Sequence, residues 1–195
     1  IGNLGNTSPY TLYQSKVLDP IAAAFILPEV KDESKWWQGK QQFIDPEGRY
    51  ILVYVGAPLF LLGYNTKLVN PAGFKSYWDL LDAKWKGKIV KAHPGYSGTI
   101  MTATYQMQRD LGWSFFEQLA KQNIMQVQSS ADPPKKLDLG ERAVMADGNE
   151  YNIFQMKEAG RPVEPVYATE GSPLIIGPNG VFKDAPNPNA ARLFQ

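Results

Sequence analysis

The chain has 195 residues, 44% of them hydrophobic and 20% charged, with 20 Lys plus Arg against 19 Asp plus Glu. Such a composition suits one long globular domain or two small lobes, and it lacks the concentrated basic face of a nucleic-acid binder, so no nucleic-acid partner is expected. There is no cysteine, hence no disulfide, thiolate metal site or cysteine nucleophile, and the apolar stretch 50–64 is broken by Gly56, Pro58 and Gly63 before it reaches the ~20 residues of a membrane helix.

The residues from Ile1 onward do not read as an export leader, which leaves a signal peptide either removed or never present. Residues 49–56, RYILVYVG, form an aromatic and β-branched run ended by Gly56-Ala57-Pro58, the pattern of a buried strand. Ser76 with Asp79 three residues on predicts a capped short helix that ends near Trp85-Lys86-Gly87. Lys88 to Ala92 then reads as a strand, and Ser97-Gly98-Thr99 leads into a helix over 100–111 closed by Gly112. Ser114 to Glu117 spell a capping box, predicting a helix to about Gln122, followed by a strand over 124–127. Ser129 to Pro133 supply an N-cap and a first-turn proline for a helix running to Gly140. A third strand is expected over 142–146, a third polar turn over 147–150, and a third helix over 151–158 with Gly160 beyond it. Ser172 to Gly177 is strand-like, and Asn187-Pro188 opens a helix that stops at Gln195 after about two turns.

Strand and helix in alternation predict an α/β lobe with a largely parallel sheet and right-handed crossovers. The strand-like segments 49–58 and 172–177 flank that lobe and are read as two hinge strands joining it to a neighbour. In open α/β sheets ligands sit beyond the carboxyl ends of the strands, so the three strand-to-helix turns are expected on one rim. Ser97, Gly98 and Thr99 offer two hydroxyls, close backbone approach and a helix N-terminus, a recipe for phosphate or carboxylate; the same hydroxyls can instead cap their own helix. Ser129 and Ser130 carry the same two readings. Asn149, Glu150 and Tyr151 form the most polar turn, and Glu150 with Tyr151 supplies hard oxygen ligands to a metal only if further oxygens converge. Gly95-Tyr96-Ser97-Gly98-Thr99 nearly spells a nucleophile elbow but fails at Thr99, and the single histidine, His93, precedes the turn, so no catalytic residues are assigned and an enzyme is not expected.

Three stretches carry a resemblance: residues 63–69 (GYNTKLV), residues 77–89 (YWDLLDAKWKGKI) and the Ser97-Gly98-Thr99 turn. With Gln128-Ser129-Ser130, residues 148–152 (GNEYN), Pro173-Leu174 and Ala185-Pro186-Asn187-Pro188, the chain resembles over residues 40–195 the family 1 extracellular solute-binding proteins of ABC importers, in the ferric-ion-binding-like branch. The resemblance implies a type II periplasmic binding fold: two lobes with parallel or mixed sheets, two hinge strands, and here truncation at both ends. It assigns residues 1–55 to the remainder of lobe one and the first hinge strand, 56–172 to lobe two, and 173–195 to the second hinge strand and the start of the return to lobe one. It further implies a periplasmic, monomeric protein that captures a small polar, anionic solute and delivers it to a permease in the inner membrane. Ferric-binding members use two adjacent tyrosines, where this chain has Glu150-Tyr151. Fe3+ as the transported ligand, held by Tyr151 and Glu150, is therefore the alternative; a ligand-sensing regulatory domain is the alternative of another class.

Overall fold

The computed structural model describes residues 2–3, 7–58, 61–70 and 72–194. In chain order these hold β1 (Gly2–Asn3), α1 (Ser8–Gln14), β2 (Leu18–Asp19), α2 (Pro28–Lys31), β3 (Leu52–Pro58), β4 (Leu62–Asn65), β5 (Ile89–Ala92), α3 (Gly98–Leu111), α4 (Trp113–Ala120), β6 (Met125–Val127), α5 (Asp132–Asp138), β7 (Val144–Met145), α6 (Glu150–Glu158), β8 (Val163–Val166), β9 (Leu174–Phe182) and α7 (Pro188–Phe194). None of the described helices is long and apolar enough to cross a membrane.

The chain divides into two compact units, one of residues 1–57 with 176–195 and one of residues 58–175. Both passages of the chain from one unit to the other lie inside strands, β3 and β9, which pair with each other. In the first unit β9 is the central strand, antiparallel to β1 with Gly2 opposite Gly180 and to β2 with Leu18 opposite Phe182. Its core is Ile21, Phe25, Leu52, Val181 and Ala191, the last supplied by α7.

The second unit is a five-stranded sheet in the order β6-β5-β7-β4-β8. β5 runs parallel to β6 and β7, whereas β4 is antiparallel to both of its neighbours, so the sheet is mixed. Alternation along each strand sends Ile89 and Val144 to one face and Val90 and Met145 to the other. The first face packs on Phe74, Tyr77, Leu80, Phe115 and Leu119, the second on Leu137 and Ile153. With both faces covered, β4, β5 and β7 are buried along their length, and the polar side chains they carry, Asn65 and Lys91, are buried and hydrogen-bonded. α3 buries Ile100, Ala103 and Met107, spaced on one helical face, and ends at Gly112, whose φ of 79° an L side chain rarely adopts.

Some local expectations need correction. Ser114 does not cap a helix: α4 begins at Trp113 after the N-cap Gly112, and the Ser114 carbonyl accepts from Gln118 within the helix. The Ser129 turn does not cap α5 through a serine, because Asp132, the first helical residue, reaches back to accept from the Ser129 N–H at 3.2 Å. The Ser76–Asp79 capping box is present, but it opens a 3-10 turn over Tyr77–Leu81 that gives way at Asp82 to a second over Ala83–Trp85. β4 and β8 are additional strands; Pro165 is tolerated in β8 because that strand lies at the sheet edge.

At Gly63 β4 lies close against Met145 of β7 and Ile153 of α6. A Cβ there would stand 2.7 Å from Met145 Cε, 2.8 Å from Ile153 Cδ1 and 3.2 Å from the Glu164 carbonyl oxygen. Both side chains are fully buried and the third neighbour is backbone, so Gly63→Ala is expected to lose about 1–3 kcal/mol. The change should appear as a lower urea midpoint with an unchanged slope.

Candidate functional site

Parallel β5, β6 and β7 place Val90 opposite both Met125 and Met145, so their carboxyl ends emerge along one edge of the sheet. The polar turns that follow them meet there. The His93 N–H donates to the Val127 carbonyl at 2.8 Å, fastening the turn after β5 to the end of β6. The Ala92 N–H donates to Asp147 Oδ1 at 2.8 Å, and Lys91 Nζ lies 2.6 Å from Asp147 Oδ2, fastening the same turn to the one after β7. Lys91 also donates to the Ala92 carbonyl at 3.1 Å, and both partners of the ion pair are buried.

Ser97 is the N-cap of α3, its Oγ accepting from the Ile100 N–H at 3.4 Å. Gly98 and Thr99 fill the first turn of this 14-residue helix. First-turn N–H groups have no acceptor within the helix, and the helix dipole adds partial positive charge where they project. The second turn is joined directly to the third: the Asn149 N–H donates to the Ser130 carbonyl at 3.4 Å, and Asn149 Nδ2 lies 3.1 Å from Ser130 Oγ, 3.0 Å from Tyr151 OH and 3.1 Å from Asn152 Oδ1. Ser129 Oγ instead accepts from the Ala131 N–H at 3.2 Å, within its own turn.

Of the residues singled out by sequence, Ser130, Asn149 and Tyr151 thus form one bonded cluster. Ser97, Gly98 and Thr99 follow β5 on the same edge, where Ala92 and His93 tie the start of their turn to Asp147 and Val127. Glu150 opens α6, and its carboxylate accepts the hydroxyl of Tyr167. Tyr167 follows β8, which runs parallel to β7 because β4 is antiparallel to both, so it emerges on the same edge. Glu150 and Tyr151 are therefore hydrogen-bonded to different partners, Tyr167 and Asn149. Among the described residues no three His, Cys, Asp or Glu side chains cluster as a metal site.

Sequence reasoning missed Lys91, Asp147 and Tyr167. A lysine inside the apolar run Lys88 to Ala92 was the available signal for the first, since a charge in a doubly covered strand needs a partner.

The hydrogen bond to Glu150, with burial second, raises the Tyr167 hydroxyl to about 12. A folded-state pKa above the unfolded value near 10 means the native state holds this proton more tightly. Its stabilising contribution is complete below pH ~10 and is lost as pH rises through about 12. Glu150→Gln is expected to return Tyr167 towards 10, measured by phenolate absorbance during an alkaline titration with a Tyr167→Phe control.

An uncharacterized protein of Haemophilus influenzae is 28% identical to this chain over 166 residues, which is 79% of the chain and 47% of that protein. The structure of the periplasmic binding protein AfuA from Actinobacillus pleuropneumoniae, with exogenous fructose-6-phosphate bound, superposes with a TM-score of 0.73 at 25% identity, covering 97% of this chain and 60% of AfuA. Iron-bound HitA from Pseudomonas aeruginosa superposes with a TM-score of 0.68 at 19% identity, covering 94% of this chain and 58% of HitA, a likeness of fold. The chain thus spans about half the length of the curated relative and 58–60% of these two structures. The fold is that of the type II periplasmic binding proteins. Matching residues 4–194, the chain belongs to the bacterial extracellular solute-binding protein family.

Proposed function

We propose that the protein to which this chain belongs is the periplasmic solute receptor of an ABC importer, capturing a small anionic organic solute and presenting it to the inner-membrane permease. The observation that carries this reading is the convergence of three polar turns, Ser97–Thr99, Ser129–Ser130 and Asn149–Tyr151, at the carboxyl ends of adjacent parallel strands, with the N-terminus of α3 among them. A helix N-terminus with serine and threonine hydroxyls favours phosphate or carboxylate. The likeness to AfuA, whose structure holds a sugar phosphate, supports the same class of ligand. Ser97, Gly98, Thr99, Ser130 and Tyr151 are proposed to touch the solute. Ser129 supports its turn, and Glu150 acts through Tyr167. β3 and β9, which carry both passages between the units, are proposed as the hinge. Solute binding then shifts the population towards the conformer that binds it better, and no bond is made or broken. The receptor is proposed to work as a monomer.

Ferric ion is the weaker alternative, because the oxygens it would use are bonded elsewhere: Glu150 to Tyr167 and Tyr151 to Asn149. The test is a thermal-shift panel of inorganic phosphate, fructose-6-phosphate, a phosphonate, citrate, a polyamine and ferric ion. A ligand at 100 times its dissociation constant adds about 2.7 kcal/mol. Stabilisation by an organic anion supports the reading, and stabilisation by ferric ion alone, with tyrosinate colour, rejects it. Ser97→Ala is expected to weaken the bound anion about tenfold and, through the lost cap, to cost about 1 kcal/mol of stability. Calorimetric titration and urea unfolding check the two effects separately, and unchanged affinity would remove Ser97 from the site.

A further inference from the structure

The carboxamide of Asn149 faces the protein. It is 4% exposed, and its Nδ2 is surrounded by three oxygens, those of Ser130 Oγ, Tyr151 OH and Asn152 Oδ1, at 3.0–3.1 Å. An amide NH2 has two protons to share among them, and only the two hydroxyls carry protons of their own. A hydroxyl that accepts from Asn149 spends a lone pair on the protein side, and its own proton must rotate away from the amide. Among the described residues neither hydroxyl has an acceptor for that proton. Tyr167, on the same edge, is the opposite case, its proton being committed to the carboxylate of Glu150.

We infer that Asn149 is a positioning residue that does not itself touch the solute: by donating to Ser130 and Tyr151 it sets both hydroxyls as donors towards the solute, and so makes the edge selective for acceptor-rich anions over cations. This rests on the anion reading above. It also gives the donor orientation a fixed cause, because the amide is buried and its NH2 has three oxygens at 3.0–3.1 Å. An aspartate at the same position reverses the arrangement, since its oxygens accept from both hydroxyls and turn their protons inward.

The experiment is calorimetric titration of the intact protein with inorganic phosphate, fructose-6-phosphate, a phosphonate and citrate. Asn149→Ala and Asn149→Asp are each made in the natural background and in a Ser130→Ala/Tyr151→Phe background. Asn149→Ala is expected to weaken anion binding about tenfold alone and less than about twofold in the double background. Asn149→Asp is expected to weaken it about a hundredfold alone and much less in that background, the residue being direct charge repulsion. Equal losses in both backgrounds overturn the inference and make Asn149 a solute contact or a purely structural residue. No loss from Asn149→Ala overturns it as well. Should the alanine variant not fold, the aspartate pair decides by the same comparison. If the unaltered protein binds none of the anions, the anion reading fails and the inference with it; if it binds one and the losses are equal, only the role of Asn149 fails.

Discussion

Asp147→Ala is expected to destabilise the protein by about 3–5 kcal/mol, because it leaves the Lys91 ammonium buried without its counter-charge. The pair is 2.6 Å apart, and the side chains of lysine and aspartate are only 9% and 2% exposed. Asp147 also accepts from the Ala92 N–H, so its loss leaves a buried backbone donor as well. Solvent does not rescue either group. The control is Lys91→Met with Asp147→Asn, which removes both charges while keeping an amide oxygen for the Ala92 N–H. It should recover most of the loss, since a buried pair exchanged for matched neutral groups is often close to neutral in stability. Urea unfolding of the natural protein, Lys91→Met, Asp147→Asn and the double variant measures the coupling. A single-variant loss below about 1 kcal/mol would show that water reaches the pair. The same variants report on the site, because the Ala92–Asp147 bond ties the turn leading to Ser97 to the turn leading to Asn149. Asp147→Ala should therefore weaken anion binding without removing any proposed solute contact.

What could be read from the sequence was what local chemistry decides. The parallel strands at 88–92, 124–127 and 142–146 were legible from apolar runs ended by polar turns, and α3 from its serine cap and closing glycine. β4 and β8 were not, for two different reasons. β4 is four buried residues without alternation, indistinguishable by period from the end of the preceding apolar stretch, and β8 carries Pro165, which argues against a strand unless the strand is known to be an edge. The Ser114 box failed because Gly112, at φ 79°, ends α3 and starts α4 in one residue, so Ser114 is already inside the helix. At the site, the turns were legible as polar segments between elements, whereas their cross-links were not. Lys91 with Asp147 is 56 residues apart, and Asn149 with Ser130 is 19 apart, distances at which only the register of the sheet brings partners together.

The second large effect is expected at the entrance to β3. Asp45 is 6% exposed, and its carboxylate accepts three backbone N–H groups: Arg49 at 2.9 Å on Oδ2, and Tyr50 at 3.0 Å and Ile51 at 2.8 Å on Oδ1. Around it the Gly48 N–H donates to the Asp45 carbonyl, and the Ile44 N–H donates to the Ile51 carbonyl. One side chain thus closes the turn that delivers the chain into a strand proposed as half of the hinge. Asp45→Ala strands all three donors and is expected to cost about 2–4 kcal/mol. Asp45→Asn is the discriminating variant. Its amide oxygen can keep Tyr50 and Ile51, while its NH2 faces the Arg49 N–H as a second donor, so about 1–2 kcal/mol is expected. Hydrogen exchange at residues 49–53 should rise in both variants in that order. Exchange at residues 89–92 and 144–149 should stay as it was, since these lie in the other unit. An equal rise in both segments would mean that the turn holds the whole protein together, and that β3 is part of a common core instead of a hinge.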